Sequence, residues 1–170
     1  MACNQVIVAA ISDTHLPDKA RSLPAALIDH LRKVDLILHA GDFTSAATLS
    51  FISTLAPTRA VHGNVDDAYL KATLPGKLVV DVGRFRIGLI HGDGPGPSTL
   101  ERARKAFTGV DCIVFGHSHS PCLSEHDGTL LLNPGSPTDK RGQPRPSFAL
   151  LRITDAIEAE LIYLWSILHP

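Results

Sequence analysis

The feature that most constrains this chain is an alternation in its first third. Short continuous apolar runs rich in β-branched residues, 6–11 (VIVAAI), 34–39 (VDLILH) and 58–62, are separated by segments with helical spacing. An unbroken apolar run of strand length suits a strand buried on both faces. Between the runs, Ser22 and Pro24 read as N-cap and early position of a helix whose face is Leu27, Ile28 and Leu31. Residues 45–55 place Leu49, Ile52 and Leu55 on one stripe of a second helix. A β-α-β-α-β order implies a parallel sheet with right-handed crossovers.

The pattern changes after Pro75. Residues 77–82 and 84–90 read as a hairpin about the Val82-Gly83-Arg84 turn. Ser98 and Glu101 have capping-box spacing ahead of a helix face formed by Leu100, Ala103 and Phe107. The run 111–115 (DCIVF) is another buried strand, and strands near 121–125, 129–132, 147–153 and 157–163 follow, with Asp127-Gly128 among the turns. The second half is strand-rich and partly antiparallel. The expected fold class is α/β, with two packed mixed β-sheets flanked by helices.

At 170 residues, 44% hydrophobic and 19% charged, the chain has the length and apolar content for a single domain over 1–170 with its own core. A net charge of −1 argues against a protein that coats nucleic acid and against an acidic tail. The N-terminus has no basic region ahead of its apolar run, and no apolar stretch approaches the roughly 18 residues of a membrane span. Cys3, Cys112 and Cys122 lack zinc-like spacing and read as reduced thiols, Cys112 as core filler. These features together lead to the expectation of a cytoplasmic protein.

Polar residues fall at the ends of the apolar runs. The runs end in Asp13-Thr14-His15, His39-Ala40-Gly41-Asp42, His62-Gly63-Asn64-Val65-Asp66, His91-Gly92-Asp93 and Gly116-His117-Ser118-His119. In open α/β sheets, ligands bind outside the carboxyl ends of the strands. Glycine beside the polar residue permits tight turns and close backbone approach. The chain holds nine histidines, and 13 of its 17 acids are aspartate. Short, well-aimed Asp and His side chains are what a metal site uses, although a lone D-x-H or GD usually marks only a turn.

Taken in order, Asp13-x-His15, Gly41-Asp42, Gly63-Asn64, His91-Gly92 and Gly116-His117-x-His119 resemble the calcineurin-like metallophosphoesterase superfamily. Asn133-Pro134-Gly135-Ser136 extends the match to its small, single-domain phosphodiesterase branch. The resemblance covers nearly the whole chain and implies the four-layer α/β/β/α metallophosphoesterase fold. Carried over residue by residue, it implies two divalent metal ions. One takes Asp13, His15 and His119, the other takes Asn64, His91 and His117, and Asp42 bridges them. Imidazole and oxygen donors together favour Mn²⁺, with Ni²⁺, Zn²⁺ or Fe as other candidates. The implied reaction is hydrolysis of a small phosphodiester by a hydroxide activated between two metals. Its catalytic set is Asp13, Asp42, Asn64, His91 and His117, and Asn64 also contacts substrate.

Two positions depart from the family pattern. Val65 stands where many members carry a histidine that contacts phosphate, which leaves the general acid unassigned and points to diesters with good leaving groups. Asp93 replaces a histidine frequent in the branch and is given no ligand role. Asp66, His39, Asn133 and Ser136 are candidates to orient ligands from behind; Asp66 equally suits a turn or helix N-cap, His39 and His62 suit the core, and Ser136 suits a plain turn. Arg141, in the polar stretch 139–146, is the candidate substrate-phosphate contact, against a solvated loop. The run 92–97 lacks the Gly-Lys-Ser/Thr ending of a phosphate-cradling P-loop. His30, His126 and His169 read as solvent histidines.

The alternatives are a phosphomonoesterase or pyrophosphatase on the same site, or a non-catalytic scaffold like the retromer subunit that shares this fold. Aromatics make up only 5%, with no basic stripe, which argues against a long nucleic acid as partner. The apolar segment 161–168 leaves a homo-oligomer contact open.

Overall fold

The computed structural model describes residues 5–165. Cys3, His169 and the end of the apolar segment 161–168 lie outside them. The elements run β1 (Val6–Ile11), α1 (Ala25–Leu31), β2 (Leu36–His39), α2 (Ala46–Ser53), β3 (Thr58–Ala60), α3 (Ala68–Thr73), β4 (Lys77–Val82), β5 (Phe85–Ile90), α4 (Thr99–Lys105), β6 (Cys112–Val114), β7 (Cys122–His126), β8 (Thr129–Asn133), β9 (Ser147–Ile153) and β10 (Ile157–Tyr163).

Two five-stranded sheets result, ordered β10-β9-β1-β2-β3 and β4-β5-β6-β8-β7. In the first, β1, β2 and β3 are parallel, and the β9–β10 hairpin adds antiparallel to β1. In the second, β5, β6 and β8 are parallel between antiparallel edge strands β4 and β7. Successive side chains of a strand point to opposite faces, so each fully apolar strand feeds two cores. Val8 and Ala10 of β1 join Leu38, Ile87, Val114 and Leu151 between the sheets. Ala9 and Ile11 of the same strand pack with Leu27, Leu31, Ile52 and Leu70 of α1, α2 and α3 on the outside. Ile113 and Leu131 pack with Ala103 of α4 behind the second sheet. The layers are therefore helix, sheet, sheet, helix. Cys112 is fully buried in the central core.

Several local readings change. Pro24, not Ser22, is the N-cap of α1, and no side chain caps that helix. Proline suits this position because the first helical amides have no partner within the helix. Ser98 accepts from the Glu101 amide, but the Glu101 carboxylate faces Arg104 and Lys105 instead of completing a reciprocal box. The six-residue helix α3 was not anticipated; Asp67 caps it by accepting from the Leu70 amide.

Candidate metal centre

The carboxyl ends of β1, β2, β3, β5 and β6 open onto one edge shared by both sheets. Asp13 and His15 follow β1, Asp42 follows β2, Asn64 follows β3, His91 follows β5, and His117 and His119 follow β6. The loops interlock through their backbones: the Asp13 amide donates to the Gly41 carbonyl and the His15 amide to the Asp42 carbonyl, each at 3.0 Å.

The loops approach so closely that side chains are excluded at two glycines. A Cβ on Gly63 would lie 2.1 Å from Asp42 Oδ1, and one on Gly116 would lie 1.9 Å from Ser12 Oγ and 2.7 Å from Asp13 Oδ2. Asp13, His15, Asp42, His117 and His119 all have positive φ, between 43° and 66°. Strain of this kind persists only where the surroundings over-determine it, and it clusters at functional sites.

Two groups of donors face each other. In the first, His15 Nε2 and His119 Nε2 are 3.1 Å apart. His119 Nδ1 donates to the Asp139 carbonyl at 2.6 Å, which leaves its Nε2 a bare lone pair. That nitrogen lies 3.4 Å from Asp13 Oδ1, and His15 Nε2 lies 3.8 Å from the same oxygen and 3.9 Å from Asp42 Oδ2. Asp13 Oδ1 is buried and has no hydrogen-bond partner among the described residues. Burial above all holds His15 and His119 below the ordinary imidazole range, hence neutral.

The second group centres on His91. Its Nδ1 donates to the Ala40 carbonyl at 2.7 Å, while Nε2 faces Asp42 Oδ2 and Asn64 Oδ1, each at 3.1 Å. His117 Nδ1 lies 3.1 Å from the same Asn64 oxygen. A ring nitrogen this close to two oxygens calls for a proton or, in its place, a metal cation. Burial opposes a proton on His91, but the Asp42 hydrogen bond and the Asp13 and Asp42 charges outweigh it and push the imidazole up to about 9. Burial raises the Asp13 carboxyl to about 6; Asp42 falls below its usual range because the His91 contacts more than offset burial. Asp13 with His15 and His119, and Asp13 with Asp42 and His91, each place one donor atom apiece within 4.8 Å of one another. A buried orphan carboxylate oxygen, neutral imidazoles and converging lone pairs fit divalent cations.

The supporting candidates grip the ligand loops. The Asp66 carboxylate accepts from the amides of Asp42 (3.0 Å), Thr44 (2.8 Å) and Gly63 (2.7 Å). His39 is fully buried, accepts from the Gly41 amide at Nδ1, presents Nε2 to the Thr14 hydroxyl and stacks on Phe43. Asn133 donates to the Gly116 carbonyl and Ser118 hydroxyl, and Ser136 donates to the Asp13 carbonyl. His62 turns to its own Gly63 carbonyl. Arg141 lies at the rim, its Nε 3.8 Å from Asp139 Oδ2. His30 meets the Phe148 ring, and His126 pairs with Asp127.

Sequence reading missed Asp139, whose amide is held by Ser136 and whose carbonyl orients His119. It also missed Thr138, which donates to the Thr14 carbonyl, and the Ala40 carbonyl behind His91. Asp139 lies three residues past Ser136, a hydroxyl-turn spacing that points to it; a backbone carbonyl leaves no trace in side-chain identity.

The chain matches the family model of the calcineurin-like phosphoesterase superfamily domain over residues 6–156. It is 42% identical over 160 residues to a curated protein of Methanothermobacter thermautotrophicus named "Probable metallophosphoesterase", covering 92% of each chain. Among solved structures, wild-type Vps29 complexed with zinc from Entamoeba histolytica is similar at TM-score 0.74 and 28% identity, over 93% of this chain and 99% of that one. A structure described as a novel archaeal phosphodiesterase shares the fold at TM-score 0.69 and 24% identity, over 94% of this chain and 100% of that one. With this fold, a ligand-bearing edge of this geometry and a match across most of its length, the chain belongs to the calcineurin-like phosphoesterase superfamily and is a metallophosphoesterase.

Proposed function

We propose that the protein, as one domain over 1–170, is a metal-dependent phosphodiesterase acting on a small phosphodiester. The observation that carries this reading is the convergence of Asp13, His15, Asp42, Asn64, His91, His117 and His119, with a buried Asp13 oxygen among them that has no hydrogen-bond partner among the described residues. In this reading Asp13, His15 and His119 hold one divalent ion, Asn64, His91 and His117 hold a second, and Asp42 serves both. Mn²⁺ is the favoured metal, with Ni²⁺, Zn²⁺ or Fe as competitors. Bound there, two cations supply Lewis-acid polarisation of the phosphate and an ionised water as nucleophile.

The chain's own residues do the rest. Asp42 is tied at Oδ1 by the Val65 amide at 3.0 Å, so that Oδ2 faces the imidazoles. The Ala40 and Asp139 carbonyls fix the His91 and His119 tautomers. Asn64, exposed at the mouth, is placed to meet a phosphate oxygen. Arg141 at the rim is the proposed further phosphate contact. Val65 is 46% exposed where many family members carry histidine, so the chain offers no proton donor there. Leaving-group protonation contributes about 10²–10⁴-fold, which favours diesters with acidic leaving groups.

No helix among the described residues is long and apolar enough to cross a membrane. A cytoplasmic setting is proposed with it, since Cys112 and Cys122 are free thiols.

The test is an activity panel with Mn²⁺, Ni²⁺ and Zn²⁺. Bis(p-nitrophenyl) phosphate is expected to turn over well ahead of an alkyl phosphomonoester, with activity lost in Asp42→Asn and His117→Ala. Equal turnover of the two substrates would return the reading to a phosphomonoesterase or pyrophosphatase. Metal binding with no hydrolysis of any phosphate ester would favour a scaffold, the reading suggested by the similarity to Vps29.

A further inference from the structure

Behind the metal centre, on the helical side of the first sheet, lies a groove of about 520 Å³ between the β1–α1 loop and α2. The loop contributes Leu16, Pro17 and Leu23, the helix contributes Ala47 and Phe51, and Arg21 lines it as the one charged residue. Phe51 is 42% exposed there. Arg21 makes no ion pair or hydrogen bond with any described residue. Small-molecule sites are concave, mostly apolar, about 300–1,000 Å³ in volume, and carry a few polar groups that orient the ligand. We propose that this groove is a second ligand site, which takes a small organic anion with an apolar, ring-sized body.

The charge and size select that class. An apolar slot with a single unpaired guanidinium complements one anionic group on an otherwise apolar molecule. The groove is built on the backs of two ligand loops. The Leu16 carbonyl accepts from the hydroxyls of Thr44 at 2.6 Å, Ser45 at 3.3 Å and Thr48 at 3.1 Å, and the Leu16 amide donates to the Phe43 carbonyl. Leu16 and Thr44 form an isolated parallel bridge, and the left-handed backbone at His15 precedes it. His15 faces the metal centre, and Leu16 faces the groove. The site is therefore distinct from the metal centre and does not depend on which phosphate ester is hydrolysed.

The experiment is titration of the whole chain with 1-anilinonaphthalene-8-sulfonate, read by fluorescence and by backbone amide shifts. Expected are one saturable site and shifts confined to residues 16–23 and 45–51. Arg21→Gln is expected to weaken binding about tenfold, the scale of one charge-assisted hydrogen bond. Ala47→Trp, which fills the groove, is expected to abolish it. The uncharged analogue N-phenyl-1-naphthylamine is expected to bind wild type about tenfold more weakly, for the same reason. Arg21 and Ala47 are both exposed, so Arg21→Gln decides even if the tryptophan variant is destabilised. The proposal is overturned by an absence of saturable binding, by equal affinity in wild type and Arg21→Gln, or by equal affinity for the two probes.

Discussion

At the residue scale, the centre depends on one carboxylate that touches no metal in the proposed scheme. Asp66 is 3% exposed and collects three backbone amides from the loops that carry Asp42 and Asn64. Asp66→Asn keeps the size but replaces one acceptor oxygen with a donor, so at least one of those amides loses its partner. Groups that orient metal ligands typically cost about 10–100-fold in metal affinity or activity when changed. Calorimetric Mn²⁺ titration should show that loss with the fold intact. His91 supplies a second prediction. Its raised folded value, about 9 against an ordinary 6.5, means that the protonated form stabilises the chelator-treated protein. That contribution is full below pH 6.5 and is lost as pH rises through 9, on the order of 3 kcal/mol. The burial-lowered histidines have gained their stabilising contribution by pH 6.5 and stay level above it. The melting temperature of chelated protein should therefore fall from pH 6.5 to 9, and His91→Asn should flatten that fall. The seven donor residues were legible because each is polar where an apolar run stops. The left-handed backbone at five of them, Asp13, His15, Asp42, His117 and His119, was not, since side-chain identity does not fix φ and the strain exists only once the loops are packed together.

At the element scale, the β-strands and helices α1, α2 and α4 were legible, and helix α3 was not. A fully buried strand writes itself as an unbroken apolar run, so β1, β6 and β9 stand where those runs are. Helix α3 has six residues and buries only Leu70, too little for any periodicity to register. Its cap by Asp67 lies directly after Asp66, so two adjacent aspartates divide the work between helix start and ligand loop. The turn preceding them is where the element scale is most exposed to mutation. A methyl group on Gly63 would lie 2.1 Å from Asp42 Oδ1 and 2.7 Å from the Asp42 amide, so the β2–α2 and β3–α3 loops would have to separate. Overpacking of this kind costs about 1–3 kcal/mol. Gly63→Ala should lower the melting temperature and, because displacing Oδ1 turns the carboxylate whose Oδ2 faces the imidazoles, should also reduce bound metal. Gly83, with open space around it and φ of 59°, is the control: Gly83→Asn should leave metal content unchanged.

At the scale of the whole molecule, four layers were legible because alternate residues of apolar strands must find cover on both faces. How the second sheet is threaded was not: β8 returns parallel beside β6 and places β7 at the edge, an order that depends on long-range pairing and not on local pattern. This arrangement brings β1, β2, β3, β5 and β6 to one edge, so the two sheets are joined there by side chains with like electrostatic needs. In the metal-free state the joint rests on a protonated His91 and strained loops. A ligand that binds only the folded protein at a hundred times its Kd adds about 2.7 kcal/mol per site. Two such sites, at about 2–4 °C per kcal/mol for a chain of this size, amount to roughly 10–20 °C. Chelation should therefore lower the melting temperature by that amount, and Mn²⁺ should restore it with two equivalents bound. One equivalent would retain a metal-dependent joint but remove the two-ion chemistry. An unchanged melting temperature would mean that hydrogen bonds such as those of Asp66 and Ser136 hold the edge together without metal, and that the donor cluster is not a cation site.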